Sequence, residues 1–328
     1  MKKVFLSKDI EKILDKLDFS KLGKKVGIKL HFGERGCVTY INPELVKKVY
    51  DKIAESREIA LIESNVLYRG SRTKKQEHIE TAREHGFKGE IDILDGEKGE
   101  EFVEVDIGTR KVKLGKGIQK YDSLIVLSHF KGHMMAGFGG AFKNMGMGIA
   151  SRAGKLDMHS SISPSVNKDK CIGCRTCIEN CNANAIDLVN GKAEINSEKC
   201  EGCAMCIEVC PQRAVEVPWH GATKKGLQEG IVEYSKGVIR LFKDKIIYIN
   251  VLENVTKECD CFGIVQKPII DDVGILLGYD PVAIDKASFD LANKQGFDKL
   301  ADADAFQTEY AEKIGLGSRD YDLVEIDD

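Results

Sequence analysis

The sequence predicts an α/β fold in which a mostly parallel sheet has helices on both faces, together with a separate cysteine-rich insertion. Two patterns indicate this. Short apolar runs alternate with segments of helical periodicity before residue 160 and again after residue 220. Between these two parts, eight of the eleven cysteines lie between Cys171 and Cys210. A hydrophobic fraction of 42% in 328 residues is enough for a sizeable core, so wholesale disorder is excluded.

The apolar runs are short enough to be buried strands of a parallel sheet. They cover residues 26–30, 59–62, 91–94 and 124–127 in the first part, and 246–252 and 273–277 in the last part. Segments with helical spacing lie at 45–53, 73–85, 227–241 and 281–294. This order predicts a Rossmann-like sheet, in which residues 1–160 and 220–328 form one discontinuous domain.

Three of these helices have recognisable ends. Asn42-Pro43 and Asp280-Pro281 each place a capping side chain before a proline, which is typical of the first turn of a helix. Gly86 follows the second helical segment and predicts its end. Asp280 is therefore interpreted as a helix cap, with a catalytic acid as the alternative.

The charge balance excludes broad electrostatic binding surfaces. Lys and Arg number 49 and Asp and Glu number 52, which gives a net charge of −3. We therefore expect no binding to nucleic acid and none to anionic membranes. The sequence has no apolar stretch long enough to cross a bilayer, and its start lacks the apolar region of a secretory signal, so a cytoplasmic protein is expected.

Two cysteine runs share the spacing C-x2-C-x2-C-x3-C: Cys171, Cys174, Cys177 and Cys181, and then Cys200, Cys203, Cys206 and Cys210. Three closely spaced thiolates on a tight loop supply three corners of a [4Fe–4S] cube, and in this geometry the fourth cysteine of each run binds the other cluster. Cluster one is therefore assigned Cys171, Cys174, Cys177 and Cys210, and cluster two is assigned Cys200, Cys203, Cys206 and Cys181. Two zinc sites or a set of buried thiols are the alternatives.

Residues 166–218 resemble the bacterial two-cluster [4Fe–4S] ferredoxins. A hairpin is predicted between the two cysteine runs, at Asn190-Gly191. Asn182 stands where that family usually has proline, which removes no ligand. The resemblance implies an inserted α+β domain that carries two clusters and relays single electrons.

Polar and glycine-rich motifs follow the predicted strands, where α/β folds keep their chemistry. The candidate catalytic residues are Lys29, His31, His129, Lys131 and His133, and the candidate anion-binding residues are Gly137, Gly139, Gly140 and Lys143. Amides at a helix N-terminus beside a lysine suit an anion, although the same glycines could simply allow close packing.

The other strand-end residues also have more than one interpretation. On a helix, His129 and His133 would share a face and could bind a metal; an acid–base role or a structural role are the alternatives. Lys29, His31 and the neighbouring Glu34 could instead form surface salt bridges. Cys259 and Cys261 would share a face of an extended segment, as a soft-metal site, a redox dithiol or two packed thiols.

Several of these motifs together resemble the domain of unknown function 362 family. They are Lys29-Leu-His31-Phe-Gly-Glu34, the stretches 128–148 and 258–263, and the segment from Asp271 to Asp285. The resemblance covers nearly the whole chain and implies an iron–sulfur protein whose α/β domain often carries a ferredoxin module. It implies no common reaction. Cys37 departs from the pattern, on a loop where a residue without a thiol is expected.

Three functional hypotheses follow. The first is an oxidoreductase that acts on a small anionic substrate in the α/β cleft, with electrons relayed by two [4Fe–4S] clusters and exchanged with a redox partner protein. The second is a ferredoxin-like carrier that catalyses nothing and docks a redox partner through its α/β domain. The third is a metal-dependent, non-redox enzyme. The sequence has no clear flavin fingerprint, and a flavin or a further metal stays open.

Overall fold

The computed structural model describes residues 1–159, 163–217 and 223–326, so the boundaries expected at residues 160 and 220 lie outside the described residues. All six predicted apolar runs overlap observed strands. The strands are β1 (Lys2–Ser7), β2 (Lys25–Lys29), β3 (Glu58–Glu63), β4 (Ile91–Ile93), β5 (Phe102–Asp106), β6 (Lys111–Gly115), β7 (Ser123–His129), β8 (Lys131–His133), β9 (Gly137–Gly139), β10 (Ser165–Val166), β11 (Ile186–Val189), β12 (Lys192–Ile195), β13 (Val215–Glu216), β14 (Ile246–Leu252), β15 (Gly274–Gly278) and β16 (Tyr321–Glu325).

Eight of the described strands form one sheet, in the order β16-β1-β15-β14-β7-β2-β3-β4. Both neighbours of β15 pair with it in antiparallel fashion, and every other pair in the sheet is parallel. The prediction of a mixed α/β fold with a mostly parallel sheet is therefore confirmed. The sheet contains strands from both sides of the cysteine-rich segment.

The described residues contain eleven α-helices, and the four that the sequence predicted begin and end close to the predicted positions. The eleven are α1 (Ile10–Leu14), α2 (Pro43–Ala54), α3 (Lys75–Glu84), α4 (Ala141–Ile149), α5 (Arg152–His159), α6 (Thr176–Glu179), α7 (Met205–Val209), α8 (Lys224–Phe242), α9 (Pro281–Asn293), α10 (Phe297–Ala301) and α11 (Phe306–Lys313). The Asn42 side chain accepts the amide of Glu44, and Asp280 accepts the amides of Val282 and Ala283, so both predicted caps are confirmed. None of the helices in the described ranges could cross a membrane.

Hydrophobic layers cover both faces of the sheet because the residues of each central strand alternate between them. In β7, Leu124 and Val126 pack in a cluster with side chains of α4, α8 and α9. Ile125 and Leu127 pack on the other face with side chains of α1 and α2. The buried layers fix the strand register, and therefore the position at which each strand ends.

Residues 163–217 contain two short two-stranded sheets and the short helices α6 and α7. β10 pairs antiparallel with β13, which brings the two ends of this segment together. β11 and β12 pair antiparallel around Asn190 and Gly191, whose φ angles are 51° and 74°, so the predicted hairpin is confirmed. The two cysteine runs share a backbone pattern, because Gly173 and Gly202 have φ angles of 68° and 72° at equivalent positions.

Candidate active site

A cavity of about 610 Å³ lies at the carboxyl end of the sheet, where the strand order changes direction. β3 and β4 lie on one side of β2, whereas β7 and β14 lie on the other. Lys29 ends β2, Glu63 ends β3 and His129 ends β7, and all three line the cavity. Open α/β sheets usually bind their ligands at such a switch point.

Most polar side chains that line this cavity are hydrogen-bond donors. The basic ones are Lys29, Arg72, Lys131, Lys143 and Lys155, and His31, His129, His133 and His159 accompany them. Glu63 contributes a carboxylate, and Met134, Met147, Leu227 and Phe262 contribute apolar surface. This combination suits a small molecule that carries both negative charge and an apolar part.

The buried carboxylate of Asp260 lies behind the cavity wall. Its Oδ2 atom accepts hydrogen bonds from Lys131 Nζ at 2.6 Å and from His129 Nδ1 at 2.8 Å. Burial raises the pKa of Asp260, but His129 and Lys131 lower it more, so this pKa lies well below its usual range. Asp260 therefore stays ionised and holds both partners in position.

Glu63 makes a second ion-pair network. Its carboxylate lies 3.4 Å from Arg72 Nη1, 2.8 Å from His78 Nε2 and 3.9 Å from Lys29 Nζ. Burial raises the pKa of Glu63, but the surrounding cations Lys29 and Arg72 lower it well below its usual range. This network fixes Arg72 and Lys29 at the cavity, where they contribute positive charge.

His31 presents its Nε2 atom to the cavity. Its Nδ1 atom accepts hydrogen bonds from the amide of Gly33 at 3.0 Å and from Arg72 Nη1 at 3.1 Å. Because both groups can only donate, a neutral His31 ring carries its proton on Nε2. Burial and the charge of Arg72 lower the pKa of His31 well below its usual value, so the ring is neutral. The Nε2–H group lies 3.3 Å from Cys261 Sγ.

His129 and His133 lie in β7 and β8 and not on one helix. They therefore do not share a helix face, which was the arrangement expected for binding one metal ion together. Both ring nitrogens of His129 face acceptors, the second being the carbonyl oxygen of Glu253 at 3.0 Å. Nδ1 of His133 accepts two backbone amides, at 3.2 and 3.0 Å. His133 can therefore offer an Nε2–H donor to the cavity, whereas His129 is occupied by structural contacts.

Three of the cavity lysines, Lys29, Lys143 and Lys155, change charge near neutral pH. Burial lowers the pKa of Lys29 to about 7 and that of Lys143 to about 7, and for Lys143 the nearby charge of Lys131 adds to the effect. Burial likewise lowers the pKa of Lys155 to about 8. An anion in the cavity would favour the charged forms and raise these pKa values.

The glycine-rich stretch differs from the expected anion cradle. The amides of Ala141 and Phe142, at the start of α4, donate to the Asp285 carboxylate at 2.7 and 3.0 Å. A Cβ atom at Gly140 would lie 2.4 Å from Asp285 Oδ1, so glycine permits this approach. These helix N-terminal amides therefore bind a carboxylate of the chain itself. Gly139 and Gly140 still line the cavity, whereas Gly137 packs against the backbone of Asp304.

Cys259 and Cys261 lie on the loop after β14 and are joined as a disulfide, with 5.1 Å between their Cα atoms. Lys143 Nζ lies 3.5 Å from Cys259 Sγ. The ligand atoms of His31, Cys259 and Cys261 all lie within 4.8 Å of one another, so this group could also hold a metal ion. A metal on His31 Nε2 would have to displace the proton that the contacts at Nδ1 place there.

The eight clustered cysteines lie in two groups. Cys171, Cys174, Cys177 and Cys210 line one small pocket, although Cys210 comes from the second run. The amide of Ala193 donates to Cys171 Sγ at 3.4 Å and that of Ala214 donates to Cys210 Sγ at 3.2 Å. These four residues are the set that the sequence assigns to cluster one.

The other group contains Cys181, Cys200, Cys203 and Cys206. Burial raises the pKa of Cys206, and the neighbouring Cys203, Cys200, Cys177 and Cys181 contribute further. Burial also raises the pKa of Cys200, with contributions from Cys203 and Cys181. Cys181 of the first run therefore lies among the thiols of the second run.

Arg152 lies beside this second group. Its side chain is fully buried, and it interacts electrostatically with Cys203 and Cys206. Its Nη1 atom donates to the carbonyl oxygen of Lys98 at 3.1 Å, whereas Nε and Nη2 have no hydrogen-bond partner among the described residues. A buried guanidinium group in this position stabilises negative charge on the neighbouring sulfurs.

The family model for the domain of unknown function (DUF362) matches residues 26–290 of this sequence. The chain belongs to the DUF362 family. No curated protein matches the sequence. Among solved structures, the lactate racemase apoprotein from Thermoanaerobacterium thermosaccharolyticum is 13% identical with a TM-score of 0.40, over 88% of this chain and 57% of that one. A structural genomics target from Thermotoga maritima is 10% identical with a TM-score of 0.41, over 93% of this chain and 57% of that one.

In this DUF362 protein, the fold brings most candidate residues to one cavity. Lys29, His31, His129, Lys131, His133, Gly139, Gly140, Lys143 and Cys261 all line it. Sequence reasoning missed Arg72, Glu63, Asp260 and Lys155. Glu63 directly follows the predicted strand at 59–62, and Asp260 lies between the candidate residues Cys259 and Cys261. The sequence therefore contained a local pattern that could have indicated both. Arg72 and Lys155 follow no predicted strand and had no such pattern.

Proposed function

We propose that this protein is an iron–sulfur oxidoreductase. Residues 166–218 form an inserted ferredoxin-like domain that holds two [4Fe–4S] clusters. Residues 1–160 and 220–328 form one α/β domain whose cavity binds a small anionic substrate. The clusters relay electrons between this cavity and a redox partner protein.

The crossed grouping of the cysteines is the main support for two clusters. Each group combines three cysteines of one run with the fourth of the other, as two-cluster ferredoxins require. Sulfur ligands of such clusters commonly accept backbone amides, and Cys171, Cys181 and Cys210 each do so, at 3.2–3.4 Å. This grouping supports one cubane cluster for each set of four thiols.

The donor-rich lining of the cavity supports an anionic substrate. Asp260 and Glu63 are already engaged by buried cations. Lys143 has no carboxylate within 4.0 Å among the described residues, and burial lowers its pKa to about 7. Its charge is therefore available to a ligand, and charge-assisted contacts to a carboxylate or phosphate would raise this pKa.

Residues 67–69 connect the cavity to the cysteine-rich segment. Leu67 lines the cavity and also packs in the hydrophobic cluster that contains Cys177 and Cys206. Arg69 Nη2 donates to the carbonyl oxygen of Ile207 at 2.9 Å. Leu67 therefore belongs both to the cavity wall and to the hydrophobic cluster around these cysteines, which supports electron exchange between the two sites.

The first group of cysteines lies close to the surface, which supports contact with a redox partner. The side chain of Cys174 is exposed. The neighbouring Ile172 lines the same pocket and is 62% exposed. A partner that docks over Ile172 would approach the first cluster closely.

Metal and sulfide analysis under anaerobic conditions tests the cluster assignment. Two cubanes require about eight iron and eight sulfide per chain. Replacing Cys181 by Ser should damage the second cluster more than the first, and Cys210→Ser should do the reverse, as followed by electron paramagnetic resonance. Cys37→Ser is the matched control. Zinc without sulfide would contradict the proposal.

Binding of succinate or inorganic phosphate tests the cavity. We expect Lys143→Met to weaken binding about tenfold or more, because charge-assisted contacts contribute about 1.5–3 kcal/mol. Iron content and fold should stay unchanged, and Lys3→Met on the exposed face of β1 is the control. Equal affinity of wild type and Lys143→Met would favour a carrier without a substrate.

A metal-dependent enzyme is the second candidate, because His31, Cys259 and Cys261 could share one ion. It predicts one zinc, copper or nickel ion per chain that Cys261→Ser removes. The proton on His31 Nε2 argues against it, so we place it second.

A further inference from the structure

We propose that Cys259 and Cys261 form a redox-active dithiol that reduces a small anionic disulfide inside the cavity. This proposal rests on the proposed function for its electron supply and for the charge preference of the cavity. It adds a reacting group and a chemical class of substrate.

The two cysteines occupy different positions relative to the cavity. Cys261 is partly exposed and lines the cavity, whereas Cys259 is fully buried behind it. The 5.1 Å between their Cα atoms lies within the range that allows a disulfide without movement of the backbone. Cys261 is therefore placed to react with a ligand, and Cys259 is placed to react with Cys261.

Hydrogen-bond donors face both sulfur atoms. His31 Nε2–H lies 3.3 Å from Cys261 Sγ. Cys259 Sγ accepts the backbone amide of Cys261 at 3.3 Å and lies 3.5 Å from Lys143 Nζ. Donors in these positions stabilise thiolates, which are the reactive form of cysteine. The contacts at Nδ1 of His31 fix its tautomer for this task.

Asp260, between the two cysteines, anchors their loop. Its side chain is held by Lys131 and His129, and its carbonyl oxygen accepts the amide of Glu34 at 2.9 Å. The amide of Phe262 donates to the carbonyl oxygen of Cys259 at 3.1 Å and closes a turn. These contacts fix the backbone that places the two sulfurs next to each other.

The reaction is thiol–disulfide exchange. The Cys261 thiolate attacks one sulfur of the substrate, so the substrate S–S bond breaks, a mixed disulfide forms and one thiolate leaves. The Cys259 thiolate then attacks Cys261 Sγ, which forms the Cys259–Cys261 disulfide and releases the second thiolate. Lys143 and bulk solvent supply protons to the two products.

Resetting the pair takes two electrons and up to two protons. Each [4Fe–4S] cluster of the proposed function delivers one electron at a time, so two clusters supply what one disulfide needs. The Cys259–Cys261 pair would thus collect two single electrons from the clusters and pass them together to a substrate that accepts electrons in pairs.

The test uses the cluster-loaded protein, reduced with dithiothreitol and desalted anaerobically. It is mixed with dithiodipropionate, a small dianionic disulfide, or with cystamine, a dicationic disulfide of similar size. After an acid quench and alkylation, mass spectrometry measures the Cys259–Cys261 disulfide and the thiol product. We expect one equivalent of dithiodipropionate to be reduced as the disulfide forms, and cystamine to react at least about tenfold more slowly.

The variants separate the roles of the two thiols. Cys261→Ser should abolish the exchange, and Cys259→Ser should stop at a mixed disulfide on Cys261. Cys37→Ser should behave as wild type, because that thiol is buried outside the cavity, against Thr39. Thiols at 259 and 261 that stay reduced with both probes would overturn the proposal, and so would a bound metal that protects both from alkylation.

Iron and sulfide analysis of the same samples separates this inference from the proposed function. Full clusters without exchange would overturn the dithiol alone. Exchange in a protein that holds no clusters would overturn the electron supply and leave the dithiol standing.

Discussion

Replacing Asp260 by Asn should destabilise the whole α/β domain. In the wild type, the carboxylate accepts hydrogen bonds from Lys131 and His129, and its side chain is fully buried. The Asn side chain keeps the shape of the Asp side chain but carries no charge. Two basic groups would then remain at a buried site without their counter-ion, which is costly because water cannot replace it.

The size of this effect follows from known buried ion pairs. Removing one partner of such a pair costs roughly 3–5 kcal/mol. Unfolding entropy of about 2.1 cal/mol/K per residue gives roughly 0.7 kcal/mol/K for a chain of 328 residues. The unfolding midpoint should therefore fall by about 4–7 °C.

Circular dichroism during anaerobic heating measures this shift. Asp322→Asn on the exposed side of β16 is the matched control and should leave the midpoint unchanged. Combining Asp260→Asn with Lys131→Met should recover part of the loss, because the stranded charge is removed. A midpoint within about 1 °C of wild type for Asp260→Asn would refute a structural role for this ion-pair network.

Three further predictions concern pH and the clusters. The pKa values of Lys29 and Lys143 are about 7. The affinity for succinate, measured by calorimetry, should therefore be highest below pH 7 and fall above it, because both lysines lose their charge. An affinity that does not change with pH would contradict binding by these cations. Burial raises the pKa of Asp285 to about 6, above its value of 3.8 in the unfolded chain. Its contribution to stability is full below about pH 4 and is lost as the pH rises to about 6, so in denaturant titrations the wild type should lose stability relative to Asp285→Asn over this range. Arg152→Gln should lower the reduction potential of one cluster by on the order of tens of millivolts, since a reduced cluster loses a neighbouring positive charge. Arg152→Lys should retain most of the wild-type potential.

The strands and helices that the sequence predicted share one property: their apolar residues are continuous or regularly spaced. β14 and β7 are buried along their whole length, so their runs are uninterrupted. β16 escaped prediction because it lies at the sheet edge, where it is only partly buried and carries charged residues among its apolar ones. β1, beside it, escaped because its apolar run is only three residues long, Val4 to Leu6. Their place in the sheet depends on pairing between distant parts of the chain, which no local pattern encodes.

The glycine-rich segment shows where local reasoning failed. The glycines before the helix that carries Lys143 do lead into a helix N-terminus, as the sequence indicated. The ligand of the amides at this terminus is Asp285, which lies 144 residues from Ala141 in the sequence. Only the packing of α9 against α4 brings that carboxylate there, so the sequence could not identify it.

By itself, the sequence determined the α/β class, the order of the main strands and helices, and the two cysteine runs. These features depend on spacings of a few residues, because backbone periodicity and a repeated cysteine pattern can both be recognised over short distances along the chain. The tertiary structure alone decided that the ends of β2, β3 and β7 meet at one cavity, and that Arg72, Asp260 and His31 set the charge and proton positions there. Those properties arise from burial and from contacts between groups far apart in sequence, since desolvation and charge interactions depend on distance in space.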